Sequence, residues 1–206
     1  MSCKHRFYNL LNPKTEDLKY LFIGTFNPEW NSKNDNNAEY FYGRSTNNFW
    51  CILPHTFDDN CLIDKSITEW TEYCALKNIG ITDIIREITN AEITNNEHYN
   101  LITRGYSDNN LDKRNGNDYI FTIDFNTSII LEIIRRNKKT LQGAYFTRKT
   151  DSGIPRIWEQ WILIKNYCNE NNINCNELIT PSNYGPGIKK SIIKWKEIIF
   201  PAPIGN

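Results

Sequence analysis

The chain has no apolar run approaching the ~18 residues of a membrane span, which argues against an integral membrane protein. It has no excess of either charge. Its 24 basic and 24 acidic side chains balance, which disfavours a protein that grips nucleic acid through a broad positive surface. Six cysteines (Cys3, Cys51, Cys61, Cys74, Cys168, Cys175) include no C-x-x-C pair, and no secretory leader precedes them. Free thiols in a reducing cytoplasm are therefore expected. No group of His, Cys and carboxylate has metal-ligand spacing, and His5, His55 and His98 stand outside every motif. There is no G-x-G-x-x-G and no P-loop lysine, which counts against a Rossmann-like enzyme acting on a small metabolite. No repeat or linker divides the 206 residues, so a single domain spanning 1–206 with a sizeable core is expected.

What is present is concentrated between Tyr20 and Trp50. The apolar run Tyr20-Leu21-Phe22-Ile23 stops at Gly24-Thr25-Phe26-Asn27-Pro28, the pattern of a buried strand entering a turn. In open α/β sheets ligands gather beyond the carboxyl ends of strands, so Asn27 is expected at a mouth. A polar stretch over 29–39 follows, then Tyr40-Phe41-Tyr42-Gly43-Arg44-Ser45-Thr46-Asn47-Asn48-Phe49-Trp50. Aromatic faces beside an amide that both donates and accepts would suit a flat, hydrogen-bonding heterocycle such as a nucleobase. The plainer alternative is that Asn27 only forms a turn and that Tyr40, Phe41, Phe49 and Trp50 pack the core.

The rest of the chain alternates between strand and helix signals. Residues 1–17 read as a lead-in. A short helix is expected from about Asn47, with Phe49, Trp50 and Leu53 inward. Ser66-Ile67-Thr68-Glu69 has the spacing of a capping box, for a helix ending near Asn78 to Gly80. Arg86 to Asp118 is polar and poorly periodic, which predicts a long loop with one short helix. Tyr119 to Ile123 alternates like an edge strand or an extended arm, and Ser128 to Arg136 carries isoleucines at helical spacing, capped by Asn126 or Thr127. A core strand over Leu141 to Thr147, a helix over Ile157 to Cys168 and a last strand over Asn176 to Thr180 come next. Ile188, Ile192, Trp195 and Ile199 then stripe a final helix. This alternation predicts a three-layer α/β/α sandwich around a central, mostly parallel four-stranded sheet.

Gly24…Asn27-Pro28 with Tyr42…Asn47…Phe49-Trp50 resembles the first motif of the uracil-DNA glycosylase superfamily. The similarity is strongest to its mismatch-specific uracil and hypoxanthine-DNA glycosylase branches. Gly80-Ile81-Thr82-Asp83-Ile84-Ile85 looks like a further segment of the mismatch-specific branch, and Leu178-Ile179-Thr180-Pro181-Ser182 falls where the superfamily keeps its second catalytic loop. The ordered set spans roughly residues 18 to 200.

The resemblance implies a monofunctional glycosylase in base excision repair, acting as a monomer in the cytoplasm without metal or other cofactor. Its partner would be DNA carrying a deaminated base. It gives catalytic positions to Asn27, Asn47 and Thr180, and base contacts to Phe26 and Tyr42. It gives DNA contacts to Arg44, Ser182, Lys189 and Lys190, with Tyr184 at the wedge position. Two departures stand out: Thr25 and Phe26 both separate Gly24 from Asn27, and Glu29 replaces the small residue expected after Pro28. Either Asn27 or Glu29 would then activate water, and a catalytically idle relative that binds DNA or nucleotides is the alternative. Asp83 reads as a cap or turn residue.

Overall fold

A computed structural model describes residues 2–33, 36–183 and 185–202. Among these the chain forms β1 (Cys3–Lys4), β2 (Tyr20–Gly24), α1 (Phe49–Thr56), α2 (Ile67–Lys77), β3 (Ile79–Asp83) and β4 (Ile85–Ile88). The middle of the chain holds α3 (Asn96–Thr103), α4 (Asp108–Leu111), β5 (Arg114–Asn115), β6 (Asp118–Tyr119), β7 (Ile123–Phe125) and α5 (Thr127–Arg136). It closes with β8 (Gly143–Phe146), α6 (Pro155–Glu170), β9 (Asn174–Glu177) and α7 (Ile188–Ile199).

β3, β2, β8 and β9 make one four-stranded sheet in that order, every pair parallel. All five residues of β2 are buried, because a strand paired on both edges and covered on both faces has no wet side. Alternation along the strands divides the core in two. Leu21, Ile23, Ala144 and Phe146 join the isoleucines of α5 and Ile157, Trp161 and Ile164 of α6. Tyr20, Phe22, Ile81 and Tyr145 join Phe49, Trp50 and Leu53 of α1 and Trp195 and Ile199 of α7. The α/β/α sandwich expected from sequence is thus the observed architecture.

Local signals operate as expected in α2. The Ser66 hydroxyl accepts from the Glu69 amide while the Glu69 carboxylate accepts from the Ser66 amide, and Asn78 ends the helix in the left-handed region at φ 54°. Several expectations need correction. The 86–118 stretch is not one loop: it opens with most of β4, holds α3 and α4, and ends in the β5–β6 hairpin. It has two short helices where one was expected, and α3 buries only Leu101, Ile102 and Thr103, too few to give the stretch a clear period. The last strand lies over Asn174–Glu177 instead of 176–180; after Leu178 donates to the Phe146 carbonyl at 2.7 Å, the chain leaves the sheet. Cys51 and Cys61 are joined as a disulfide across the loop following α1, and only Cys3, Cys74, Cys168 and Cys175 are free thiols.

Nor are residues 1–17 a mere lead-in. β1 pairs antiparallel with β4, which pairs with β7, and beyond β1 His5 bridges to Pro28. The amino-terminal segment thereby runs between the small antiparallel sheet and the turn that follows β2.

Candidate active site

The parallel strands all point their carboxyl ends to one pole, and a cavity of about 200 Å³ opens there. Its lining includes Phe26, Asn27, Tyr42, Arg44, Asn47, Thr180 and Ser182, together with Asp83, Tyr106, Asp108 and Arg148. Residues separated by up to 158 positions in sequence, Gly24 and Ser182, therefore share one space. Lys189 and Lys190 do not line it; they sit exposed in the first turn of α7. Tyr184 lies outside the described residues.

Two distant loops are drawn together by backbone pairing. Asn47 and Ser182 form an antiparallel bridge, the Asn48 amide donates to the Pro181 carbonyl at 2.6 Å, and the Asn183 amide donates to the Thr46 carbonyl at 3.0 Å. Two buried tryptophans anchor the same loops from below. Trp50 Nε1 donates to the Phe41 carbonyl at 2.9 Å, just before Tyr42, and Trp195 Nε1 donates to the Ile179 carbonyl at 3.0 Å, just before Thr180. The aromatic residues that sequence alone assigns to core packing thus also fix the rim.

Tyr42 stands in the left-handed region at φ 57°, a position a non-glycine residue holds only when its surroundings enforce it. One face of its ring lies on Phe49 with centroids 3.9 Å apart and planes at 10°. Thr147 gives its hydrogen to the Ile23 carbonyl at 3.2 Å, so the Tyr42 hydroxyl is the donor in its 3.0 Å bond to Thr147 Oγ1. Burial, with the Asp83 charge adding to it, pushes this phenol well above its ordinary range. Tyr42 is a neutral plate with one face already covered.

The two candidate amides are held in opposite senses. Asn27 Nδ2 donates to Asp83 Oδ2 at 2.9 Å, which leaves Oδ1 as its free group. Asn47 Oδ1 accepts from the Phe49 amide at 2.9 Å at the start of α1, which leaves Nδ2 free. Strand pairing runs on past Gly24: the Thr25 carbonyl accepts from the Ile85 amide at 3.0 Å, one residue before the chain turns. Glu29 points elsewhere. Its carboxylate accepts from the Lys4 amide at 3.0 Å, outside the cavity lining.

Charge inside the cavity is unevenly compensated. Asp108 accepts from Thr25 Oγ1 at 3.0 Å and from Arg148 at 2.9 Å. Burial raises its carboxyl above the usual range, while the Arg148 charge opposes the shift. Arg44, by contrast, lies with its guanidinium 3.4 Å from the Tyr106 ring centre, and its Nε is buried without a hydrogen-bond partner. Burial pulls this guanidinium down to about 10, still cationic near neutrality. It is a buried cationic donor left without an acceptor among the described residues. Among the described residues no three His, Cys, Asp or Glu side chains gather as a metal would require.

Sequence reasoning missed Asp83, His5, Tyr106 and Asp108. Tyr106 donates to Asn37 Oδ1 and accepts from the Ser32 amide at 3.1 Å. Asn36 Oδ1 accepts from the Ser45 amide at 3.2 Å. The polar stretch over 29–39 is thus partly scaffolding for the rim. The sequence signal nearest Tyr106 is Gly105, a turn former; the turn is constrained, with φ values of 65° and 46° at Gly105 and Tyr106.

No protein-family model and no curated protein matches the chain. One solved structure is similar, an NMR structure of a protein named "putative Uracil DNA glycosylase" from Methanosarcina acetivorans. It is 13% identical with a TM-score of 0.48, and the match covers 89% of this chain and 92% of that one. At that score and identity the likeness carries no weight for the residues of the site.

Proposed function

We propose that the protein is a DNA glycosylase of the uracil-DNA glycosylase superfamily, hydrolysing the N-glycosidic bond of uracil or hypoxanthine in DNA as a step of base excision repair. The observation that carries this reading is the opposite presentation of two amides in one cavity. Asn27 offers an acceptor and Asn47 a donor. Releasing an oxo-base asks for such a pair: an acceptor that holds the attacking water by its hydrogen, and a donor for the base that departs with the bonding electrons.

The remaining roles follow from chemistry and placement. A cavity of about 200 Å³ is below the ~300 Å³ at which drug-sized pockets begin, so it suits a single flipped base better than a dinucleotide. Extrusion of that base from the duplex costs a few kcal/mol, which stacking on the open face of Tyr42, with Phe26 beside it, offsets in part. An amide cannot take the water's proton, so Asn27 orients the water while the C1′–N bond loosens toward an oxocarbenium-like transition state. The water oxygen then bonds to C1′, its proton passes to solvent, and the base leaves with the electron pair. The Thr180 hydroxyl is a second, uncharged donor to the leaving base. Arg44 and Ser182 take phosphate oxygens beside the flipped nucleotide, Lys189 and Lys190 more distant ones, and Tyr184 fills the vacated space in the duplex. No lysine stands among the described lining residues, which favours hydrolysis over an amine-linked lyase step and hence a monofunctional enzyme.

The test is a base-release panel on single- and double-stranded oligonucleotides containing uracil, hypoxanthine or xanthine, read as alkali-labile sites. Wild type should release at least one base, with Asn27→Ala and Asn47→Ala each slower by roughly 10²–10³-fold. Absence of abasic sites from every substrate would refute the proposal. Tight DNA binding that neither substitution changes would instead mark a catalytically idle binder.

A further inference from the structure

We infer that Asp83 and His5 form a buried positioning device that locks the Asn27 amide with its oxygen toward the cavity, and that the hydrolytic step is governed through this device while base binding is not. The inference rests on the glycosylase reading for its kinetic consequence, but its structural content stands on geometry alone. Asp83 closes β3 opposite Gly24, and both Asp83 and His5 are 1% exposed. One carboxylate oxygen, Oδ2, accepts from Asn27 Nδ2 at 2.9 Å and pairs with His5 Nε2 at 2.7 Å.

Hydrogen-bond polarity in this chain is determined from one end. The Phe7 backbone N–H can only donate, and it donates to His5 Nδ1 at 2.9 Å. Nδ1 therefore keeps its lone pair, the ring hydrogen sits on Nε2, and Nε2 donates to the carboxylate. The ring has no room to turn over: Phe7, Phe26 and Phe41 surround it, each with its centroid 5.7 Å away. A carboxylate only accepts, so Asn27 must present its NH₂ to Asp83 and its oxygen away from it. The reversed amide would set two oxygens against each other in a dry site. An unassisted asparagine has two amide orientations of similar energy and would offer the water its acceptor only part of the time. The amino-terminal segment, which also accepts and donates on either side of the turn through Arg6 to Asn27 at 2.6 Å and Glu29 to Lys4 at 2.9 Å, holds the whole assembly against Asn27.

Asp83→Ala removes the acceptor; Asp83→Asn does not. Because His5 Nε2 still donates, the asparagine at 83 should settle with its oxygen where Oδ2 was and keep accepting from Asn27. Single-turnover base release is therefore expected to fall about 10²-fold in Asp83→Ala, the scale of a ~1 Å misplacement, and to recover to within a few-fold of wild type in Asp83→Asn. Affinity for damaged DNA, read by fluorescence anisotropy, should be unchanged in both. In a double-mutant cycle, Asp83→Ala should add nothing to Asn27→Ala, because it acts through that amide.

Equal loss in Asp83→Asn and Asp83→Ala, or multiplicative rates in the cycle, would overturn the inference and assign Asp83 an independent role through its charge. A readout without turnover separates this from the glycosylase reading itself. The Asn27 side-chain NH₂ should give a distinct, exchange-protected pair of NMR signals in wild type and Asp83→Asn, lost in Asp83→Ala. Persistence of that protection in Asp83→Ala sinks the inference whether or not any base is released. Should Asp83→Ala not fold, His5→Phe keeps a ring among the three phenylalanines, removes the Nε2 donor to Asp83 together with the Nδ1 acceptor of the Phe7 amide, and should loosen the same signals.

Discussion

Gly24→Ala is the most economical perturbation of this site, because the backbone there permits it and only space forbids it. A Cβ on Gly24 would sit 2.2 Å from Asp83 Oδ1 and 2.8 Å from the Tyr42 hydroxyl. Ordinary van der Waals contact requires Asp83 to retreat by roughly 1 Å. Asp83 cannot do so freely, since its other oxygen is bonded to His5 at 2.7 Å and to Asn27 at 2.9 Å, and a shift of that size takes either bond past useful length. Hydrogen bonds to charged groups contribute about 1.5–3 kcal/mol each. Losing one and straining the other should lower the unfolding free energy by roughly 2–4 kcal/mol. For a chain of this length that is a fall in Tm on the order of 5–15 °C. Urea unfolding followed by tryptophan fluorescence should show a lowered midpoint with an unchanged slope. A variant within ~0.5 kcal/mol of wild type would refute the reasoning, because the turn after β2 would then yield without disturbing Asp83.

Three further outcomes are expected. Trp195→Phe leaves the Ile179 carbonyl without its 3.0 Å donor at a cost of roughly 1–3 kcal/mol; hydrogen exchange should quicken at residues 180–183 and not in α5. Ser66→Ala removes half of the capping box of α2 and should cost about 1 kcal/mol in chemical denaturation. Burial pushes the Cys3 and Cys74 thiols each up to about 12. Since the thiolate is the reactive form, both should resist a thiol reagent at pH 8 in the native protein. Unfolding without reductant should expose the four free thiols and no more; titration of all six cysteines would contradict the Cys51–Cys61 bond.

The layered fold was within reach of sequence because it follows from short-range periodicity. Tyr20 to Ile23 is apolar throughout, as a strand covered on both faces must be, and Ile188, Ile192, Trp195 and Ile199 repeat at helical spacing. The capping box at Ser66 needs only four residues to be recognised. The turn at Asn27 and the loop at Thr180 were visible for the same reason, since Gly and Pro interrupt apolar runs wherever they fall. Only the tertiary structure decided which polar groups meet. His5 and Asp83 are 78 positions apart and bond at 2.7 Å, a contact that depends on β1 docking against β4 and not on any local pattern. The same holds for Tyr106, which reaches the rim from a stretch with weak periodicity and stacks under Arg44. Sequence by itself determined that two amides and an aromatic would stand near the strand ends. Asn47 takes its direction from a local turn, bonded to the Phe49 amide two residues on, whereas the atom that Asn27 leaves free was settled by Asp83, brought in from 56 positions away, because that hydrogen-bond direction is a property of the assembled neighbourhood and leaves no trace in spacing along the chain.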